Sequence, residues 1–532
     1  MRYLIALLLW SVSSVLQAAQ PADGWLVAWN DCKTLGAQSK YTGYLWFLED
    51  EPKLQWTNYL VASTHLNFLS RYQKIAHPVV VMRDGTLRQW PNIGANDWGN
   101  VSCLRINVLD YWPDRSVWDK LGDPRLEPYF HVTTLVPDYP AGLYTDGTSY
   151  PAGPAKKQTA LAPWLLQPLG MPADGPASVA AKKMYREAVF GLVEATDYSP
   201  CPVVEVTNFV WQSSTSFDRV AGYYDFLGIS DQKTFDKLVG FDRKASLGFK
   251  SFIADAVADS GVATEPRLIE VYEKLGGRYY RTLDQVNQRG QGNRNPLLTI
   301  GPNDLKFDAQ EVFASLPNGL WAMGLFDKDG VRQDSAPDGV GYNHFTLSNN
   351  GKVDICLACL VCHDRRPGNG GLQPIKPYFR TLFAAPGPIG LADKDVKKLK
   401  ELEQIYLSKL DFDPDRRRYI EALYECSGLL PNVYAGYLYE TYHRYDKAVD
   451  YARAALELGV TEAELFKSMG LQVKFWGKID NINGNWLLAP ERRMRIGRNQ
   501  WVEVYNAAQL SLRGLPTWGE DLRFRYPSRP VK

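Results

Sequence analysis

The chain is short of the residues that usually carry metal and nucleophile chemistry. Among 532 residues there are only 7 cysteines, 7 methionines and 6 histidines. Charge is almost balanced, with 60 Lys and Arg against 59 Asp and Glu, a net of +1. That balance argues against a nucleic-acid partner and against strong long-range steering. Beyond the N-terminal stretch no continuous run of apolar residues is long enough to span a bilayer, so the mature chain is expected to lack an integral membrane segment. Gly-x-Ser-x-Gly, His-Glu-x-x-His and a phosphate-binding loop are all missing, which leaves hydrolase and nucleotide chemistry without support. Aromatic residues are plentiful, with 16 tryptophans and 30 tyrosines. A carbohydrate-binding face or a haem lining would use them, but core packing is the usual fate of such rings.

Against this scarcity, three of the rare residues fall together as Cys359-Leu360-Val361-Cys362-His363. Cys-x-x-Cys-His is the attachment sequence of c-type haem: the thiols add across two vinyl groups, and the following imidazole binds iron on the proximal side. From composition alone the motif would arise by chance on the order of one time in a thousand. Cys356, three residues upstream, opens two rivals. A ferredoxin-type run needs a fourth cysteine just before Pro367, where this chain has Arg366. A zinc knuckle would use Cys356, Cys359, Cys362 and His363, although structural zinc sites usually take a second ligand pair from a separate segment. A cofactor-free cysteine loop is the plain alternative. Haem reads best, one per chain and covalent, with Cys359 and Cys362 as thioether residues and His363 as the proximal iron ligand.

The N-terminus agrees with this. Met1-Arg2-Tyr3 is a basic start, Leu4 to Val15 an apolar core, and Leu16-Gln17-Ala18-Ala19 offers small residues for cleavage, a pattern expected of a secretory signal peptide over 1–19. Periplasmic export and covalent haem belong together, because c-type haem is attached outside the inner membrane. Five other cysteines remain, Cys32, Cys103, Cys201, Cys356 and Cys426, whose pairing is not legible from spacing.

The expected organisation is an N-terminal α+β region over 20–138, a Pro/Gly/Ala-rich loop or linker over 139–177, a haem-binding region over 178–390, a helical region over 391–476 and an irregular segment over 477–532. Thr57–Ile75 is compatible with an amphipathic helix. Val79–Met82 reads as a strand entering a turn at Asp84-Gly85, and the alternation of Leu104, Ile106 and Val108 as a half-buried strand. Ser178 caps a helix to about Thr196; Phe217–Leu227 and Gln232–Val239 are helix-like. Leu320–Phe326 leads into a turn at Lys328-Asp329-Gly330, which is a plain turn rather than a calcium loop because the later ligand positions do not follow. Asp393, Asp413-Pro414 and Asp446 each open a helix, and Thr461-x-x-Glu464 is a capping box. Arg492, Arg493, Arg495 and Arg498 read as a solvated basic face. The fold class expected is mixed and mainly α with minor β: a cytochrome c-like haem region embedded in a larger α+β protein with a helical C-terminal part.

Several segments together resemble a family of large exported proteins of planctomycetes and proteobacteria, each carrying one Cys-x-x-Cys-His. They include Tyr224-Asp225-Phe226-Leu227-Gly228, Arg267-Leu268-Ile269-Glu270, Leu316-Pro317-Asn318-Gly319-Leu320 and Asp329-Gly330 ahead of the haem motif. The most specific is Leu-Pro-Asn-Gly-Leu. The resemblance implies a monohaem cytochrome c-like protein and brings no established activity. Two departures stand out: Tyr272 occupies a position where the family has histidine, and Phe307-Asp308-Ala309-Gln310-Glu311 replaces His-Asp-Gly-Gly-Glu.

The second axial ligand separates the functional readings. Methionine or histidine there gives an electron carrier working with a redox partner protein; an open or tyrosine-bound iron gives a peroxidase- or oxygenase-like enzyme or a ligand sensor. A third reading is a binding or scaffold protein with structural haem. Distal candidates are Tyr272, Met323 and His344, with His443 behind them. Electron transfer is the leading expectation.

Overall fold

The computed structural model describes residues 23–49, 51–113, 201–217, 219, 222–242, 253–255, 267–284, 307–337, 352–364, 397, 413–458, 461–463, 465, 497, 498 and 501. The leader, the linker, the helix expected from Ser178, all of that expected from Asp393 except Lys397, and His344 lie outside them. The described helices are α1 Asp23–Thr34, α2 Pro52–Phe68, α3 Val206–Ser213, α4 Tyr223–Leu227, α5 Gln232–Leu238, α6 Leu357–Asp364, α7 Asp413–Ser427, α8 Pro431–Asp446 and α9 Tyr451–Leu458. The strands are β1 Thr42–Trp46, β2 Val79–Met82, β3 Leu87–Arg88, β4 Val101–Asn107, β5 Val203–Glu205, β6 Ile253–Asp255, β7 Arg267–Lys274, β8 Gly277–Leu283, β9 Ala309–Ser315 and β10 Trp321–Asp327.

The first sheet runs β3-β2-β4-β1-β5, antiparallel except for the parallel β1–β5 pair. β1 is buried at every residue, as a strand covered on both faces must be. α1 packs on β4 and β1, where Asp31 accepts the Tyr44 hydroxyl at 2.6 Å and pairs with Arg105 at 3.3 Å. A disulfide between Cys32 and Cys201 ties α1 to the approach of β5.

α2 departs from expectation. It begins at Pro52, which suits a first helical turn, and every residue from Thr57 to Phe68 is buried. A helix wrapped on all sides has no solvent stripe, so it is not amphipathic. α3, α7 and α8 pack against it. Two of its polar side chains bond across to neighbouring segments: Gln55 donates to the Val101 carbonyl at 2.8 Å and Asn67 to the Ala76 carbonyl at 2.8 Å.

The second sheet is an antiparallel meander in the order β10-β9-β8-β7-β6. Its register pairs Met323 with Phe313, Phe313 with Tyr280, Tyr272 with Tyr279 and Glu270 with Arg281. Because side chains alternate across a strand, Glu311, Phe313, Tyr280, Trp321 and Met323 share one face. Glu270, Tyr272, Tyr279, Arg281 and Phe326 share the other. The edge of β10 is closed by two tyrosine hydroxyls and, toward its end, by backbone bonds to Val331 and Gln333. The Met323 amide donates to Tyr223 Oη at 2.9 Å and the Leu325 amide to Tyr224 Oη at 2.6 Å, an arrangement that removes a pairing edge.

This sheet overturns the mainly-α expectation. Described residues are 46% helical and 23% in strand, an α+β mixture. The expected hairpin arm Leu320–Phe326 is β10, whereas β6 to β9 show no clean alternation in sequence because buried positions such as Glu270, Arg281, Gln310 and Glu311 are polar. The Leu316–Leu320 segment is the β9–β10 turn. Gly319 has φ +90 there, and a side chain at that position would press on Ala422 of α7 at 3.1 Å. Asn318 donates to the Asn67 carbonyl at the end of α2 at 2.9 Å. Arg418 of α7 donates to the Pro317 carbonyl at 3.1 Å and to the Gly276 carbonyl of the β7–β8 turn. The Leu316–Leu320 segment is therefore a structural joint. At Asp327–Val331 the turn is a plain one, with Asp327 accepting the Asp329 and Val331 amides at 2.9 Å.

In the C-terminal part α7 starts at Asp413-Pro414 and is followed by Gly428 at φ +68. α8, opened by Pro431, was not anticipated. Asp446 ends α8, and α9 is capped by Asp450, which accepts the Arg453 amide at 2.9 Å. Arg498 corrects the solvated-face reading. It is 4% exposed and donates to both Glu457 oxygens at 2.8 and 2.9 Å, where Trp501 also donates at 2.7 Å. Burial pushes the Glu457 carboxyl up, but the Arg498 and Arg453 charges outweigh it and hold it at about 2.

Candidate functional site

The motif forms α6. Leu357 to Asp364 is one short helix, and at 3.6 residues per turn Cys359, Cys362 and His363 (i, i+3, i+4) fall on one side of it. That side meets the second sheet. Cys359 Sγ lies 3.7 Å from Glu311 Oε1, and the His363 ring packs on Phe313 with centroids 4.6 Å apart. Cys359 is buried, whereas Cys362 and His363 are half-buried. Neither cysteine is in a disulfide.

Two anchors set the helix in place. The Leu357 amide donates to the Ser214 carbonyl at 2.8 Å, just after α3. Ser214 Oγ in turn meets His65 Nε2 at 2.5 Å and donates to the Val210 carbonyl at 2.5 Å, which makes His65 the donor on its Nε2 side. Tyr434 of α8 then donates to His65 Nδ1 at 3.3 Å. Burial pushes the His65 imidazole down to about 3, so it is neutral in this role. Cys356, the residue before the helix, has φ +69, a left-handed conformation costing about 1–2 kcal/mol. At the other end Asp364, fully buried, accepts the Tyr419 hydroxyl of α7.

The walls are aromatic. Trp321 stacks on Tyr280 at 5.8 Å and meets Phe313 at 5.7 Å and Tyr419 at 5.8 Å. Burial pushes Tyr223, Tyr224, Tyr419 and Tyr434 well above the ordinary phenol value, and Cys359 well above the ordinary thiol value with Glu311 adding to it. These groups are neutral.

Both motif thiols are unbridged and share a face with a single imidazole, the donor set that thioether attachment and one axial bond require. The Trp321 indole N–H, on the same sheet face as Phe313, is buried with no acceptor among the described residues. A zinc knuckle needs four ligands converging on one point; among the described residues no three His, Cys, Asp or Glu side chains converge in that way.

The distal candidates separate. Tyr272 lies on the opposite face of the sheet from Phe313 and Glu311, and its hydroxyl donates to Glu270 at 2.9 Å. A sheet of backbone stands between it and the motif, so it does not share a face with His363. Met323 pairs directly with Phe313 on the motif's face and is 1% exposed. His443 sits in the last turn of α8 against Tyr439, ring centroids 4.1 Å apart. Glu311, Phe313, Trp321, Asp364, Tyr419 and the His65–Ser214 pair were not foreseen at this site. Asp364 follows the motif directly and was the most accessible of them to sequence reasoning; the others depend on strand register and helix packing. No family model, curated protein or solved structure matches the chain.

Proposed function

We propose that this chain is an exported, periplasmic c-type monohaem protein that transfers electrons to or from a partner protein. The observation that carries the reading is the placement of Cys359, Cys362 and His363 on one side of α6, with both thiols unbridged, against the aromatic face of the second sheet. Cys359 and Cys362 would hold the haem and His363 its iron. When bound, the group supplies a reversible one-electron couple between ferric and ferrous iron.

The chain's own residues then have distinct tasks. Ser214 and Asp364 fix the two ends of α6, so the imidazole is presented from a rigid element. Phe313 limits the orientations of the His363 ring. Phe313, Tyr280, Trp321 and Tyr419 keep water from that side, and a low-dielectric surround is one of the means by which a protein tunes a haem potential. Met323 is the described residue on this face able to serve as a second soft ligand.

The test is periplasmic expression with haem-maturation machinery, followed by a pyridine haemochrome assay and an intact mass. A c-type haemochrome and a mass heavier by one haem are expected. Colourless protein with the mass of bare polypeptide overturns the proposal.

A further inference from the structure

On the sheet face turned away from α6, a cavity of about 350 Å3 lies between the second sheet, α5 and the Asp327–Val331 turn. Its volume falls in the range of small-molecule sites. One wall is aromatic: Phe241 stacks on Tyr279 at 3.9 Å, and Tyr272 approaches Phe241 at 5.2 Å. The floor carries Arg281, which is 7% exposed. Its Nε faces Glu270 at 3.1 Å, and a guanidinium carries five N–H donors, so one carboxylate on the Nε side leaves N–H groups to offer a ligand in the cavity.

The charges around the cavity identify the ligand class. Arg281 is neutralised by Glu270, and Asp329 at the rim by Lys328 at 2.7 Å. Asp231 caps α5 by accepting the Thr234 amide at 2.8 Å, and Asp236 accepts the Tyr279 hydroxyl at 2.8 Å. Lys233 adds a positive charge close by. Opposite charges nearly cancel, so the site offers no strong field to select an ion. It offers donors and acceptors interleaved over an aromatic wall, and a hydroxyl group is both donor and acceptor.

We propose that this cavity is a binding site for a neutral polyol of monosaccharide size, with Arg281 and Asp236 hydrogen-bonding ring hydroxyls and Tyr272 and Phe241 covering an apolar sugar face. The site is independent of the motif, since β7–β10 separate the two.

The experiment is calorimetric titration of the full mature protein with D-glucose, D-galactose, D-mannose, glucosamine and glucuronate. Saturable binding of at least one neutral sugar is expected below about 50 mM, the weak end of specific recognition. Arg281→Met should weaken it at least tenfold. Because that change leaves Glu270 buried beside an apolar chain, Ser230→Trp at the rim provides a second test that leaves the buried pair intact, and it should abolish binding while haem content stays unchanged. No saturation by any neutral sugar overturns the proposal. So does tighter binding of glucosamine or glucuronate than of every neutral sugar, or binding that survives Ser230→Trp.

Discussion

Ser214 accepts the Leu357 amide proton at 2.8 Å while its hydroxyl meets the His65 imidazole at 2.5 Å. One small residue thus joins the central helix α2 to the first turn of the motif helix. The position of Cys359, Cys362 and His363 is therefore set by a buried polar contact between segments far apart in the chain.

That contact has a pH signature. The His65 imidazole sits at about 3 in the fold against 6.5 in an unfolded chain. Between those values the unfolded state binds a proton that the fold refuses, so stability falls as pH drops below 6.5. The slope from this residue is at most about 1.4 kcal/mol per pH unit. Urea unfolding at pH 7.5, 6 and 5 should show a shallower pH dependence in His65→Gln than in wild type.

Glu457 acts over a lower window. Its carboxyl is held at about 2 against 4.5, so its contribution is complete above pH 4.5 and is lost as pH falls toward 2. Glu457→Gln strands the buried Arg498 guanidinium, whereas Arg453 keeps Glu49 at 2.7 Å, and should cost about 3–5 kcal/mol. Chemical denaturation at pH 7 measures the loss, and the variant should lose less stability than wild type between pH 4.5 and 3.

Gly319→Ala tests the joint at Leu316–Leu320. With φ +90 and Ala422 at 3.1 Å from an added methyl group, the substitution should cost about 1–3 kcal/mol. A lower Tm with an unchanged far-ultraviolet circular dichroism spectrum is the expected result.

With the proposed haem in place, the two sheet faces give a spectroscopic contrast. Tyr272→Phe should leave ferric and ferrous spectra unchanged, because the residue stands on the far side of the sheet. Cys362→Ala should leave one thioether and shift the haemochrome band to longer wavelength. Altered spectra in Tyr272→Phe would contradict the face assignment.

What was legible beforehand is what local spacing dictates. The i, i+3, i+4 grouping of Cys359, Cys362 and His363 follows from helix geometry alone. Gly85, Gly330 and Gly428 mark turns and a helix end because positive φ favours glycine, and Asp413-Pro414 marks a helix start. The Gly276-Gly277 turn between β7 and β8 was also there to be read, but its flanking strands bury polar residues and show no simple alternation.

Tertiary structure decided the rest. Strand register placed Tyr272 and Phe313 on opposite faces, although both belong to the same sheet, and brought Glu311 to Cys359. Packing on every side made α2 a buried spine where its sequence suggested an amphipathic helix. Arg498 became half of a buried ion pair because Glu457 waited on α9. Each outcome depends on which distant segment covers a residue. Neighbours along the chain constrain backbone conformation, but they do not specify that partner.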